Sequence, residues 1–325
     1  MTADRPDALR TFVAAHKFRG PLPGARLIVL GAVHGNEPCG SIAIERILQE
    51  LACGELEIIA GQLTLVPVAN RLAYERGTRN GDRDLNRNFA PTSNPSDNED
   101  FIANELCVLL AEHTILIDIH SFGWQSSPMV LLGQDSSARD PQPFAFACHE
   151  EALAAHLGVS RALYGWLATN MQRAHRRGSS IQYCKGTTDY MRSVGGYAVT
   201  LECGQHADPL APELAYNAVR NALAYLRLIA SKTPQPKQEI ELLRVYEVID
   251  KNSRKDRFVR EWNSFDRLYL GDAVAYRSDG TPVLSPADGF ILFPNTNAEP
   301  GTEWFYLAEP DPRALRKRGV CSKGK

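Results

Sequence analysis

The chain has 325 residues, of which 44% are hydrophobic, and a formal net charge of -2 at pH 7. A chain of this length can bury a full core, and it is expected to form one large domain and a smaller one. The near-neutral charge argues against binding to nucleic acid or to an anionic membrane surface, so the expected partner is a small molecule.

The amino-terminal segment has acids and a proline in place of the basic stretch and apolar core of a signal peptide, and no run approaches the length of a membrane span. The seven cysteines are scattered and include no Cys-x-x-Cys pair, a pattern that indicates neither a disulfide framework nor a thiolate metal site. These features predict a cytoplasmic location.

The first predicted element is an apolar, β-branched strand over residues 27–33, and apolar residues at helical spacing predict a helix over 41–51. A second strand is predicted over 62–68. The stretch 70–89 is rich in Arg, Asn, Asp and Gly, and it is interpreted as a long functional loop.

The pattern continues with a helix over 98–112, a strand over 115–119 and a helix over 142–157. A short strand over 197–201 then precedes a helix over 212–229. This alternation predicts an α/β fold in which a mostly parallel mixed sheet is flanked by helices.

The segment 232–237 contains two prolines and two lysines and is the predicted linker. Beyond it, short apolar runs such as 244–249 and 289–293 are separated by Gly, Pro, Asn and Asp, which is typical of an all-β domain. The predicted organisation is a catalytic α/β domain over 1–231 and a smaller C-terminal β domain over 238–325.

Three residues of types that commonly bind metals follow two of the predicted strands. His34 and Glu37 come directly after the first strand, and His120 follows the strand 115–119. In open α/β sheets, sites form outside the carboxyl ends of the strands. Two imidazoles and one carboxylate with an open fourth position are the pattern of a catalytic zinc site, so we predict one zinc ion here, although such ligands also accept other divalent ions.

Glu202 ends the strand 197–201, and its carboxylate is expected to reach the same sheet edge as His120. It is the predicted general base, and His206 is interpreted as a loop histidine. In the string Asp-Leu-Asn-Arg-Asn-Phe at 84–89, Asn86 and Arg87 provide an amide beside a planar guanidinium, which suits bidentate binding of a substrate carboxylate.

Four motifs in order carry a resemblance to a known family: His-Gly-Asn-Glu at 34–37, Asp-Leu-Asn-Arg at 84–87, Asp-Ile-His at 118–120 and Leu-Glu-Cys-Gly at 201–204. Together they resemble the succinylglutamate desuccinylase and aspartoacylase family of the zinc carboxypeptidase-like superfamily. The C-terminal stretch 291–295 is also similar to a segment of the family's β domain.

The resemblance implies that the same three ligands hold zinc, that Glu202 is the general base and that Arg79 polarises the scissile carbonyl. Asn86 and Arg87 would bind a carboxylate of the amino-acid part. Arg192, ten positions before Glu202, matches an arginine of the family and would bind a second acidic group.

Two departures from the family concern the substrate pocket. The family's aspartoacylase branch uses an aromatic hydroxyl of the C-terminal domain, for which Tyr306 is the candidate, but the stretch 299–306 contains an insertion. Thr188 stands where that branch has a tyrosine. The substrate is therefore not carried over from the family.

The predicted function is zinc-dependent hydrolysis of the amide bond of an N-acyl, acidic amino acid. A metallo-carboxypeptidase or murein-peptide amidase is an open alternative, because the string at 84–89 also suits the wider superfamily. A non-catalytic metal or ligand sensor is a second alternative, against which Glu202 argues. The C-terminal domain would either cover the active site or mediate self-association into a homo-oligomer.

Overall fold

The computed structural model describes residues 12–123, 126–133 and 144–315. The helices of these residues are α1 (Cys39–Ala52), α2 (Arg71–Arg76), α3 (Asn98–Ala111), α4 (Ala147–His156), α5 (Trp166–Arg176), α6 (Thr187–Ser193), α7 (Ala211–Tyr225) and a 3-10 helix (Ile181–Cys184). The strands are β1 (His16–Arg19), β2 (Leu22–Leu30), β3 (Ala60–Val66), β4 (Ile115–Phe122), β5 (Met129–Leu131), β6 (Arg161–Tyr164), β7 (Tyr197–Gln205), β8 (Glu241–Asp250), β9 (Arg257–Phe258), β10 (Arg267–Leu268), β11 (Ala273–Tyr276), β12 (Pro282–Leu284), β13 (Gly289–Leu292) and β14 (Glu303–Pro310).

The strands form one large sheet in the order β1-β3-β2-β4-β7-β5-β6-β8-β14-β13-β10, and β12, β11 and β9 form a small separate one. Strands β3, β2, β4 and β7 are mutually parallel, as are β5, β6 and β8. The predicted α/β fold with a mostly parallel sheet between helices is therefore confirmed, and the C-terminal strands β8, β14, β13 and β10 form an antiparallel region.

Alternating side chains of β2 divide the core between the two faces of the sheet, as the two-residue period of a strand requires. Leu27 and Val29 pack with α1, α4 and α7, whereas Ile28 and Leu30 pack with α3 and α6. The sheet is thereby covered on both faces. Its strands can be apolar throughout, as the run 27–33 is.

The predicted elements before residue 232 are confirmed with shifted ends. Residues 142–143 of the helix predicted over 142–157 lie outside the described residues, and the remainder contains α4. The predicted loop 70–89 is wrong at its start, because residues 71–76 form α2. There, Asn70 Oδ1 accepts a hydrogen bond from Ala73 N, and Gly77 with φ of +61° ends the helix.

The sheet runs across the predicted boundary between the two domains. Residues 232–237 contain no helix or strand, in agreement with a linker, but β8 pairs in parallel with β6 from Arg161↔Glu241 to Tyr164↔Arg244. The C-terminal strands therefore extend the main sheet, and division into two domains stays a prediction. No helix in the described part of the chain is long and apolar enough to span a membrane.

Candidate active site

Three neighbouring parallel strands bring the predicted site residues together at the carboxyl ends of the strands. In the register of β4 with β7, His120 lies opposite Glu202, and β2 on the other side of β4 leads into the turn that carries His34. Gly35 in this turn packs against the backbone of α2, because a Cβ at this position would lie 1.9 Å from the carbonyl carbon of Ala73.

His34, Glu37 and His120 form one compact, buried cluster. Glu37 lies between the two imidazoles, with Oε1 3.0 Å from His34 Nδ1 and Oε2 2.8 Å from His120 Nδ1. The potential ligand atoms of the three residues all lie within 4.8 Å of one another. Burial raises the pKa of Glu37, but the two histidines outweigh this effect and hold the pKa well below its usual range. Two imidazole nitrogens and a carboxylate at this spacing fit a tetrahedral divalent ion with one open position.

Each histidine of the cluster also has an aspartate beside its other ring nitrogen. His34 Nε2 lies 3.0 Å from Asp84 Oδ1, and His120 Nε2 lies 3.1 Å from Asp118 Oδ2. Such carboxylates orient metal-binding imidazoles and select the tautomer that directs Nδ1 at the ion. These two aspartates were not among the predicted site residues, although the two-residue spacing of Asp118 and His120 on one strand predicts a shared face.

Glu202 lies beside the cluster and is half-buried, with its Oε2 shielded from solvent. Its Oε2 has no hydrogen-bond partner within the described residues. Burial raises the pKa of Glu202 to about 8; the charge of Glu37 adds to this effect, whereas His120 and Arg79 lower the pKa. A carboxylate without a protein partner next to a metal-type cluster is well placed to exchange a proton with a bound molecule.

The loop after α2 brings its polar side chains to the same place. Arg79 Nη1 lies 3.4 Å from Glu37 Oε1, and Arg79 Nε donates to Asp84 Oδ2 at 3.1 Å. Asn86 Oδ1 accepts from Thr187 N at 2.9 Å, so the Nδ2 amide is the part of this side chain left for a ligand. Within the described residues no carboxylate lies within 4.0 Å of the Arg87 guanidinium.

A buried carboxylate that the sequence analysis missed holds this loop. Glu99 at the start of α3 is fully buried and accepts from the backbone amides of Gly81 at 3.0 Å and of Asp82 and Arg83 at 3.1 Å. Asn70 Nδ2 adds a bond of 2.8 Å. Because the contacts span 16 to 29 residues in sequence, no local pattern indicates them.

Substitution Glu99→Gln should loosen the loop, because an amide cannot replace a carboxylate that accepts bonds from three amides. We expect the free energy of unfolding to fall by about 1–3 kcal/mol and KM to rise more than kcat falls. Thermal unfolding and steady-state kinetics test this. Glu112→Gln, at the C-terminal cap of the same helix on an exposed side chain, is the matched control. Unchanged stability and KM would contradict the assignment.

The cluster of His34, Glu37 and His120 lines a cavity of about 1000 Å3 together with Glu202 and the polar side chains Arg79, Asn86 and Arg87. The C-terminal part contributes to its wall, namely through Phe293, Asn295, Glu303 and Tyr306. Tyr306 is stacked on Trp166 with ring centroids 4.3 Å apart, and its hydroxyl donates to Asn170 Oδ1 at 3.2 Å. The C-terminal region therefore forms part of the candidate site.

Two other residues of the cavity have contacts that the sequence did not indicate. His206 lies in a turn, as predicted, but its Nδ1 is 2.8 Å from Ser121 Oγ, and the backbone amide of Ser121 donates to Glu37. Arg192 lines the cavity, but its guanidinium is bonded to Glu150 and Asp189. Its predicted role with a second acidic group is untested and stays a prediction.

Comparison with known families and structures agrees with this geometry. Residues 23–229 match the model of the succinylglutamate desuccinylase/aspartoacylase catalytic domain. A succinylglutamate desuccinylase/aspartoacylase from Rhodobacter sphaeroides has 18% identity and a TM-score of 0.69, with 92% of this chain and 90% of that chain covered. Comparison with curated protein sequences gives no significant match.

Two further solved structures have the same fold. A succinylglutamate desuccinylase from Vibrio parahaemolyticus is 16% identical with a TM-score of 0.68, and 92% of each chain is covered. The ectoine utilization protein EutE (DoeB) from Ruegeria pomeroyi, in a product-bound structure, is 17% identical with a TM-score of 0.67, with 91% of this chain and 88% of that chain covered. At these identities the likeness extends to the fold alone.

Proposed function

The chain belongs to the succinylglutamate desuccinylase/aspartoacylase family, and we propose that it is a zinc-dependent hydrolase that cleaves the amide bond of an N-acyl amino acid. The products are a carboxylate and a free amino acid. The observation that carries this proposal is the buried cluster of His34, Glu37 and His120 beside the unpartnered carboxylate of Glu202, at the wall of one large cavity.

The cluster supports zinc as the cofactor. A zinc ion held by His34, Glu37 and His120 would supply Lewis-acid activation of a water molecule and of the substrate carbonyl. Asp84 would orient the His34 imidazole through its contact with Nε2, and the Asp118 carboxylate lies 3.1 Å from His120 Nε2.

Glu202 moves the proton in this proposal. Its carboxylate takes a proton from the attacking water as the new carbon–oxygen bond forms, and it delivers that proton to the nitrogen as the carbon–nitrogen bond breaks. Arg79 donates a hydrogen bond to the carbonyl oxygen, which gains negative charge during the attack. The contacts of Arg79 with Glu37 and Asp84 hold its guanidinium next to the cluster.

Asn86 and Arg87 bind the free carboxylate of the amino-acid part. Arg87 lines the cavity without an ion pair to any described carboxylate, and its neighbour Asn86 is held by Thr187 N with its amide nitrogen available. A planar guanidinium beside an amide is suited to bidentate binding of a carboxylate. Tyr306 closes this side of the cavity above Trp166.

The test is hydrolysis of a panel of N-acetyl, N-succinyl and N-formyl amino acids by zinc-loaded protein, followed by mass spectrometry, with short peptides and murein tripeptides in the same panel. Turnover of an N-acyl amino acid in preference to peptides supports the deacylase. Turnover confined to peptides would move the chain to the metallo-carboxypeptidase or murein-peptide amidase alternative. Zinc binding without any turnover would favour the sensor.

Substitution Arg87→Ala should raise KM by roughly 10–100-fold for a substrate with a free α-carboxylate, because a charged hydrogen bond of about 1.5–3 kcal/mol is lost. The same substrate with its α-carboxylate converted to an amide should be hydrolysed equally by both proteins. Arg71→Ala, on an exposed side chain of α2, is the control. An equal KM increase for both substrates would show that Arg87 does not bind the α-carboxylate.

A further inference from the structure

We propose that this enzyme acts on N-acyl amino acids with a single carboxylate, and that Glu150 sets this preference by neutralising Arg192. The inference rests on the deacylase function proposed above and specifies its substrate class. It departs from the acidic amino acid that the sequence analysis predicted.

Arg192 lies in the cavity wall, but each of the three nitrogens of its guanidinium donates a hydrogen bond within the protein. Its Nε donates to Glu150 Oε1 at 2.7 Å, its Nη1 to Asp189 Oδ1 at 3.2 Å and its Nη2 to the carbonyl oxygen of Ala198 at 2.9 Å. The side chain is only 15% exposed. All three nitrogens of the guanidinium are thus held by protein oxygens.

Glu150 cannot turn aside to make room for a substrate carboxylate. It is 1% exposed, its Oε1 also accepts from Ala198 N at 2.9 Å, and its Oε2 accepts from Gly133 N at 2.7 Å. The packing is close, since a Cβ at Gly133 would lie 2.6 Å from Arg192 Nε and 2.9 Å from Glu150 Oε2. The backbone contacts fix Glu150 as the permanent partner of Arg192.

Asp189 adds a second negative charge to this group. Its Oδ2 accepts from Gly186 N at 3.0 Å while its Oδ1 faces Arg192. Two anchored carboxylates therefore surround one guanidinium, and the group as a whole carries one negative charge. An incoming carboxylate would meet repulsion there, which is strong because the site is shielded from water.

Among the residues that the structure describes, uncharged side chains lie next to this group in the wall, and the cations without an ion pair lie elsewhere. Leu131 and Thr200, which pair between β5 and β7, line this end of the cavity with Gly133. Among the described residues, Arg87 and Lys185 are cavity cations without a carboxylate within 4.0 Å. Lys185 belongs with the Arg87 loop, because its carbonyl oxygen accepts from Phe89 N at 3.1 Å. The described part of the cavity thus has one anion-binding side, which suits one carboxylate.

The test compares substrates that differ only in charge. N-acetylaspartate is paired with N-acetylasparagine, and N-acetylglutamate with N-acetylglutamine; N-succinyl and N-butyryl derivatives of alanine probe the acyl end. In one of these pairs, the group that differs lies at the Arg192 end of the cavity. For that pair we expect kcat/KM to be roughly tenfold or more higher for the substrate with a single carboxylate.

The variant Glu150→Gln removes the negative charge that faces Arg192. It should therefore shift the ratio of the two kcat/KM values by roughly tenfold toward the substrate with a second carboxylate. A gain for one substrate relative to another does not arise from loss of folded protein. Glu151→Gln, at the neighbouring buried carboxylate that pairs with Arg313 at 2.7 Å, is the matched control and should leave the ratio unchanged. Asp189→Asn provides a second variant with the same expected direction.

The outcomes separate this inference from the proposed function. Hydrolysis that favours the acidic member in the unmodified enzyme, or a ratio that both variants leave unchanged, would overturn the role of Glu150 while the deacylase stands. Absence of turnover for every N-acyl amino acid would overturn the deacylase itself, and the substrate class with it.

Discussion

Replacement of Glu202 by Gln should lower kcat by roughly 10²–10⁴-fold, the range that a general acid–base group contributes. Gln has the shape of Glu but cannot accept and return a proton. The carboxylate lies opposite His120 in the register of β4 with β7, and its Oε2 has no protein partner among the described residues. No structural contact of that atom is therefore lost in the variant.

The measurement is kcat for the best substrate of the panel, together with the zinc content and the melting temperature of the variant. Both of the latter should equal those of the unmodified protein, because Glu202 is not one of the proposed ligands. Glu213→Gln, an exposed carboxylate on α7 that pairs with Arg46, is the control for removal of a charge. A kcat within about tenfold of the original would show that another group moves the proton.

Removal of zinc with a chelator should abolish hydrolysis and lower the melting temperature, and one equivalent of zinc should restore both. The reason is that a ligand that binds only the folded state stabilises it, by about 2.7 kcal/mol when its concentration is 100 times Kd. The site for this ion is the cluster in which Glu37 lies between the imidazoles of His34 and His120. Metal analysis of the reconstituted protein should find one ion per chain.

The ligand assignment is tested by metal content as well as by activity. The double variant His34→Ala, His120→Ala should lose the bound ion, whereas His16→Ala, on an exposed strand at the sheet edge, should retain it. Activity that survives complete demetallation would refute the metal-dependent chemistry. Retention of one tightly bound ion by the double variant would move the metal site elsewhere.

Much of the candidate site was predictable because it depends on local patterns. Apolar runs that stop at His34, His120 and Glu202 mark strands that end in chemically active side chains, and parallel strands present their carboxyl ends at one edge. The structure places β4 between β2 and β7, so the three strand ends are neighbours. The predicted cluster of His34, Glu37 and His120 follows from this geometry.

The residues that hold the site in shape could not be predicted in the same way. Glu99 accepts amides from a loop 16 to 18 residues before it, and Glu150 meets Arg192 at a separation of 42 residues. Buried carboxylates of this kind have no sequence signature, because a Glu on a helix is usually a solvated residue. Their partners are chosen by the packing of α3 against the loop and of α4 against β7.

By itself, the sequence determined the alternation of strands and helices, the metal-type cluster and the position of Glu202 beside it, since each depends on periodicity within one element and on the common polarity of parallel strands. Only the tertiary structure decided that β8 joins β6, that Tyr306 and Glu303 enter the cavity wall and that Arg192 pairs with Glu150. Strand order and ion pairing are settled by contacts between residues far apart in the chain, where desolvation and packing outweigh any local preference.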